Sequence, residues 1–260
     1  MSIQQELTQF LNQQGIQSVG FAHLEQEDIK LLKQCNMDFG DCIYGISIAV
    51  KLSDAIIDEI TDTPTHTYFH HYRTVNTFID QTLLKLGIYL EQKGYRYITV
   101  GASQSINLNG WNYNGRYSHK KLACLAGMGT IGKSSLFLHK EYGARVRLGS
   151  LFTNCPVSFQ NHAPVSICKD CTLCTSACPS GAISGKEWHI GVTREEIFSA
   201  ETCSQYMKKQ FQHIGRGAVC GICMKVCPQY QNGFIHEKNM INFKIHLRYL
   251  LLVTLRCKLQ

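Results

Sequence analysis

From residue 66 to residue 93 the apolar positions Tyr68, Tyr72, Val75, Ile79, Leu83, Leu86 and Leu90 recur at steps of four and three. Side chains at that spacing share one face of an α-helix, so the segment predicts a long amphipathic helix. Pro64 stands just before it and Gly94 just after Lys93, the residues that helix boundaries favour. Residues 2–14 carry a shorter helical pattern that stops at Gly15, and residues 118–127 a third. Between these lie apolar, β-branched runs at 16–21, 43–52, 95–100, 136–139 and 146–153, which read as strands. The pattern predicts a mixed α+β chain with an α/β core over residues 1–160.

After Pro156 this periodicity gives way to cysteine-rich segments that run to about Pro228, placing a domain boundary near 156–166 and a second unit over 161–234. The remainder, 235–260, holds a basic and apolar stretch at 243–256 that predicts a closing helix. The chain has 13 cysteines in 260 residues. The amino terminus is polar, without the apolar region of a secretory signal, and the apolar run at 249–255 is too short to span a bilayer. A cytoplasmic protein without membrane attachment is expected. In a reducing compartment so many cysteines point to metal ligation and not to disulfides. The ending Cys257-Lys258-Leu259-Gln260 only superficially matches a prenylation box, because Lys258 is not aliphatic.

The spacing sharpens the metal reading. Cys168, Cys171, Cys174 and Cys178, followed by Pro179, reproduce the bacterial ferredoxin run C-x2-C-x2-C-x3-C-P. Cys220, Cys223, Cys227 and Pro228 echo its second half, an internal repeat that predicts two equivalent [4Fe–4S] sites. In such runs the fourth cysteine serves the other cube. One cluster is then expected on Cys168, Cys171, Cys174 and Cys227, and the other on Cys178, Cys220, Cys223 and one more. The repeat would put the missing ligand at 217, where Gly217 stands, and Cys203 is the best replacement. Paired zinc knuckles would not need the 2-2-3 spacing or the trailing proline. Cys35, Cys42, Cys124, Cys155 and Cys257 match no ligand pattern and read as small buried hydrophobes.

Ligation changes the charge. The formal net charge is +7 with neutral thiols, but a cube with four thiolates carries −2, so two cubes bring it to about +3. An RNA partner is compatible with that charge and not required by it.

Gly127-Met128-Gly129-Thr130-Ile131-Gly132-Lys133-Ser134 satisfies both dinucleotide and triphosphate loop patterns. Each pattern needs a strand leading in and a helix following. The lead-in through Leu122, Ala123 and Leu125 is not strand-like, and a tight Glu141-Tyr142-Gly143 turn soon follows. Gly127, Gly129, Gly132 and Lys133 instead read as a turn that lets backbone approach a bulky cofactor.

The order of these motifs is similar to that of the epoxyqueuosine reductase family. The resemblance rests on Ser118-His119-Lys120-Lys121, the glycine-rich stretch through Lys133, Glu141-Tyr142-Gly143, Leu148-Gly149 and the double-cluster cysteines, over about 95–228. Cys203-Ser204-Gln205-Tyr206 resembles the family's isolated C-x-x-Y ligand. The resemblance implies a cobalamin-dependent reductase, kin to the reductive dehalogenases. It also implies a nitroreductase-like core that holds the corrinoid beside a ferredoxin-like domain. In that family the clusters pass single electrons from an external low-potential donor to the corrinoid, and the substrate is an epoxide on a modified tRNA base. The family's proton-donating aspartate aligns with Tyr113, and residues 103–119 contain no Asp or Glu; the family tryptophan is replaced by Thr130. Tyr113, Tyr117 or His119 is then expected to give the proton, with Tyr113 and His119 the nearest candidates. A ferredoxin-type carrier without substrate chemistry and a flavin-dependent reductase are the alternative readings.

Overall fold

The computed structural model describes residues 1–34, 38–106 and 113–230. Cys35, Cys257 and the expected closing helix at 243–256 lie outside the described residues.

In chain order the elements are α1 (Ile3–Gln13), β1 (Ser18–His23), α2 (Gln26–Gln34), β2 (Tyr44–Lys51), α3 (Asp54–Asp58), α4 (His66–Gln92) and β3 (Tyr97–Val100). They continue with α5 (His119–Leu125), β4 (Gly129–Ile131), β5 (Phe137–His139), β6 (Val146–Thr153), α6 (Leu173–Ala177), α7 (Arg194–Ile197), α8 (Ala200–Gln210) and α9 (Ile222–Lys225). Short 3-10 turns occupy Gly215–Gly217 and Pro228–Tyr230.

Local chemistry sets the boundaries. Ser2 caps α1 by accepting from the Gln5 amide while the Gln5 side chain accepts from the Ser2 amide, a reciprocal box. At the other end Gly15 takes φ +89° and the Ile16 amide returns to the Leu11 carbonyl at 3.0 Å. Ile16 therefore belongs to the helix exit, and the first strand begins two residues later than its apolar run suggested. Thr65 caps α4 through the Tyr68 amide, and Gly94 ends it at φ +83°.

The four-stranded sheet has the order β1-β2-β6-β3, and every neighbouring pair is antiparallel. The architecture is thus α+β, and the sheet of the core is not the parallel one of α/β folds. Alternation along β2 and β6 sends Ile46, Ile48 and Leu151 to one face, where Ile79, Leu83, Leu86 and Leu90 of α4 cover them. A Cβ on Gly149 would come within 2.5 Å of Ile79, which shows how closely α4 lies on the sheet. Gly45 and Phe152 face the other way and meet Leu122 of α5.

β4, inside the glycine-rich segment, and β5 form a separate antiparallel hairpin whose turn is residues 132–136. Residues 154–172, which carry Cys168 and Cys171, contain no helix or strand. Core and cysteine segments are bolted together through α3. The fully buried Arg145 pairs with Asp54 (3.1 Å) and Asp58 (2.8 Å), and Lys225 of α9 reaches the same Asp58 side chain at 3.0 Å.

Candidate iron–sulfur site and adjoining cavity

Eight of the cysteines stand around two cavities. The first, about 370 Å³ including its open mouth, is lined by Cys168, Cys171, Cys174 and Cys227 together with Gly132, Lys133 and Leu138. The second, about 1110 Å³ including its open mouth, has Cys178, Cys203, Cys220 and Cys223 in its wall. The structure thus brings together the two sets that the crossing rule separates.

Each set has its own positioning device. Cys168 lies beside the β4–β5 turn, where the Lys133 amide points at its sulfur from 3.5 Å. A Cβ on Gly132 would sit 3.4 Å from that sulfur and 2.8 Å from Leu138, so glycine admits the approach. Cys203 is carried by α8, which turns Ala200, Cys203, Tyr206 and Met207 to the second cavity at helical spacing. The position the repeat reserves for a cysteine is closed: Gly217 takes φ +71°, and a Cβ there would meet the Lys208 Cα at 2.5 Å and the Met207 carbonyl oxygen at 2.7 Å. Packing against α8 excludes a side chain at 217, while the same helix presents Cys203.

Burial raises the thiols of Cys203 and Cys227 to about 12, and Cys223 rises too. Neighbouring sulfurs add to the rise within each set, Cys178 and Cys220 for Cys203 and Cys168, Cys174 and Cys171 for Cys227. For Cys178 burial also pushes upward, but hydrogen bonds from Ser180 and nearby amides bring it below the usual thiol range. Thiolates packed this closely require cationic metal among them. This donor chemistry fits iron–sulfur clusters. Among the described residues no three Cys, His, Asp or Glu side chains converge on a point suited to a single ion.

The glycine-rich segment does not meet the structural requirement of a phosphate loop. Helix α5 leads into it where a strand would be needed, β4 lies within it, and β5 follows where a helix would be needed. Lys133 is only 7% exposed, and its ammonium donates to the backbone carbonyls of Lys169 and Cys171, the latter at 3.2 Å. Gly132 and Lys133 therefore border the first cavity, whereas Gly127 backs onto His162 and Gly129 onto the Leu138 carbonyl.

The two candidate proton donors are separated. Tyr113, with φ +54°, lines the second cavity, and its carbonyl accepts from Arg194 at 2.7 Å. His119 is not in that wall. Its Nε2–H donates to the Gly101 carbonyl (3.2 Å), so Nδ1 accepts from the Ser150 hydroxyl (2.8 Å). Burial lowers its pKa and keeps the ring neutral. Tyr117 is buried and donates to Asp28 at 3.0 Å.

Sequence reading passed over two groups of this wall. Lys120 lines it, donates to the Ser135 carbonyl (2.7 Å) and hydroxyl (2.9 Å), and is depressed to about 8 by burial and then by the Arg194 charge. Tyr72 bonds the Ser103 hydroxyl at 2.6 Å beneath the Arg147 guanidinium, 4.4 Å from its ring centre. A lone lysine or tyrosine in a helical pattern carries no signal of this; only the depressed Lys120 value in a cavity wall marks it.

Residues 167–230 match the family model described as "4Fe-4S double cluster binding domain". The chain is 31% identical over 125 residues to the epoxyqueuosine reductase of Listeria monocytogenes, covering 46% of this chain and 31% of that protein. It is a distant relative of the epoxyqueuosine reductases. The match spans about a third of the length of the first such relatives. An epoxyqueuosine reductase crystallised with a tRNA-Tyr epoxyqueuosine-modified stem loop superposes with a TM-score of 0.56 at 19% identity, covering 90% of this chain and 67% of that one. The catabolic reductive dehalogenase NpRdhA gives 0.65 at 16% identity over 88% of this chain and 32% of its own. These two likenesses establish a shared fold. No helix among the described residues is long and apolar enough to cross a membrane.

Proposed function

We propose that the chain is a cytoplasmic cobalamin-dependent iron–sulfur reductase with a nitroreductase-like core. Cys168, Cys171, Cys174 and Cys227 hold one [4Fe–4S] cluster, and Cys178, Cys203, Cys220 and Cys223 hold the other. The observation that carries this reading is the second cavity, which continues from four cysteines to a wall of Tyr68, Tyr72, Tyr113, Phe198 and Tyr206. A large flat group lying against those rings would be next to the second cluster, and Lys120 and Arg194 supply positive charge at the same wall. Cobalamin bound there supplies low-potential reducing chemistry at cobalt. The clusters supply single electrons taken from an external low-potential donor.

The chain's own residues have three tasks. The aromatic wall excludes water and orients the flat group. Tyr113, at about the position aligned with the family aspartate, is the proposed proton donor of this wall. His119, neutral and bonded through both ring nitrogens, holds the start of α5 against β3 and β6. The proposed substrate is epoxyqueuosine in tRNA, by analogy with the relative crystallised with that stem loop.

The test adds cobalamin and, separately, flavin to the anaerobically reconstituted chain, followed by gel filtration and visible spectroscopy. Retained cobalamin and conversion of epoxyqueuosine-containing tRNA support the reading. Retained cobalamin without conversion removes the substrate and leaves the reductase. Retained flavin favours the flavin enzyme, and retention of neither leaves a ferredoxin-type carrier.

A further inference from the structure

Lys133 is an unusual residue for the place it occupies. Its side chain is buried, and among the described residues it forms no ion pair. Its ammonium donates to the carbonyls of Lys169 and Cys171, inside the loop that carries Cys168, Cys171 and Cys174. Its own amide faces the Cys168 sulfur, so backbone and side chain of one residue address the same cavity. Lys169 adopts φ +40°, a left-handed conformation that turns its carbonyl to this ammonium. A buried cation without a carboxylate is costly unless another negative charge compensates it. A ligated [4Fe–4S] cube supplies that charge, −2 when oxidised and −3 after taking up one electron.

We infer that the Lys133 ammonium sets the reduction potential of the cluster on Cys168, Cys171, Cys174 and Cys227 by favouring its reduced form. The inference rests on the ligand assignment proposed above. One electron passes from the external low-potential donor to the cube; no bond to Lys133 forms or breaks, and the lysine keeps its proton. Because the charge on the cube grows by one unit on reduction, a fixed positive neighbour stabilises the product more than the reactant. Removing the cation therefore lowers the potential of this cluster. The second cluster, whose cavity does not include Lys133, is shifted less.

The test is an EPR-monitored redox titration of the anaerobically reconstituted full chain, with iron and acid-labile sulfide measured on the same samples. Cys203→Ala, lacking the proposed fourth ligand of the second cluster, identifies the signal of the first. Lys133→Met is expected to retain about eight irons. It should lower the midpoint of the first signal by about 59 mV, a tenfold change in a one-electron equilibrium. Lys133→Arg, which keeps the charge, should restore most of it. A Lys133→Met midpoint equal to wild type overturns the inference, as does an equal shift in both clusters or a Lys133→Arg shift as large as that of Lys133→Met. Loss of half the iron in Lys133→Met also overturns it, because the residue is then scaffolding and not a source of potential. The iron content of the wild type tests the cluster assignment separately: a value near four removes that assignment, whatever Lys133 does.

Discussion

Asp58 joins the sheet domain to the cysteine segments, and its removal should weaken both. The carboxylate accepts from the fully buried Arg145 at 2.8 Å and from Lys225 at 3.0 Å. The Arg145 hydrogen bond, then that of Lys225, holds its pKa below the ordinary aspartate range. In Asp58→Ala, Arg145 keeps Asp54 at 3.1 Å but loses its shorter ion pair. Breaking a fully buried pair costs about 3–5 kcal/mol and breaking an exposed one about 0–1. The Asp58 side chain is 46% exposed, so an intermediate loss of about 2 kcal/mol is expected. For a chain of this size that corresponds to roughly 4–8 °C in Tm. Lys225 belongs to α9, between Cys223 and Cys227, so its release should also speed cluster loss, followed as the decay of visible absorbance during anaerobic heating. Asp58→Asn, which keeps the shape without the charge, should show the same direction. If both variants match wild type in Tm and in decay rate, the ion-pair junction is not what holds the two parts together.

The remaining predictions concern the site. Wild type should contain about eight irons with matching acid-labile sulfide after anaerobic reconstitution, and Cys203→Ala should lose or convert one cluster; an unchanged reduced EPR spectrum would refute its role. Tyr113→Phe should lower turnover by about 10²–10⁴-fold with cobalamin retained, whereas His119→Ala should mainly lower Tm, and the opposite pattern would reverse the assignment. Lys120, depressed to about 8, penalises the fold while it is charged, and that penalty is relieved as pH rises from about 8 into the ordinary lysine range. Lys120→Met should therefore stabilise the protein more at pH 7 than near pH 10, a difference of up to about 3 kcal/mol read from denaturant midpoints.

Much of the architecture was legible because it is encoded locally. The repeat of Tyr68 through Leu90 marks α4, and the run at 146–153 coincides with β6, one of the two strands that pair on both sides. What stayed hidden depends on partners distant in sequence. α8 carries Ala200, Cys203, Tyr206 and Met207 on its cavity side, and its helical period is masked by Glu201, Gln205, Lys208 and Lys209. α2 is mostly polar, with Leu32 its one buried apolar residue. His119 reads as a reactive imidazole until Ser150 and Gly101, from β6 and the end of β3, are seen to occupy both nitrogens. Lys133 matches a phosphate motif in sequence, yet its ammonium is directed by carbonyls 36 and 38 residues further on.

The broken repeat also accounts for the inequality of the two cavities. Duplicated cysteine runs alone would give two similar pockets closed by similar loops. The first is closed that way, with the tight Gly132–Lys133 turn against Cys168. At the second, Gly217 cannot carry a side chain, so the fourth cysteine must come from another element, and α8 supplies it. A helix brings more than one residue: Ala200, Tyr206 and Met207 arrive on the same face as Cys203 and widen the wall toward α4 and Tyr113. The outcome is about 370 Å³ at one set and about 1110 Å³ at the other. On the proposed assignment this asymmetry gives the pair a direction. The first cluster, in the smaller cavity and biased toward its reduced form by Lys133, is the relay; the second, opening on the aromatic cavity, is the one from which an electron leaves.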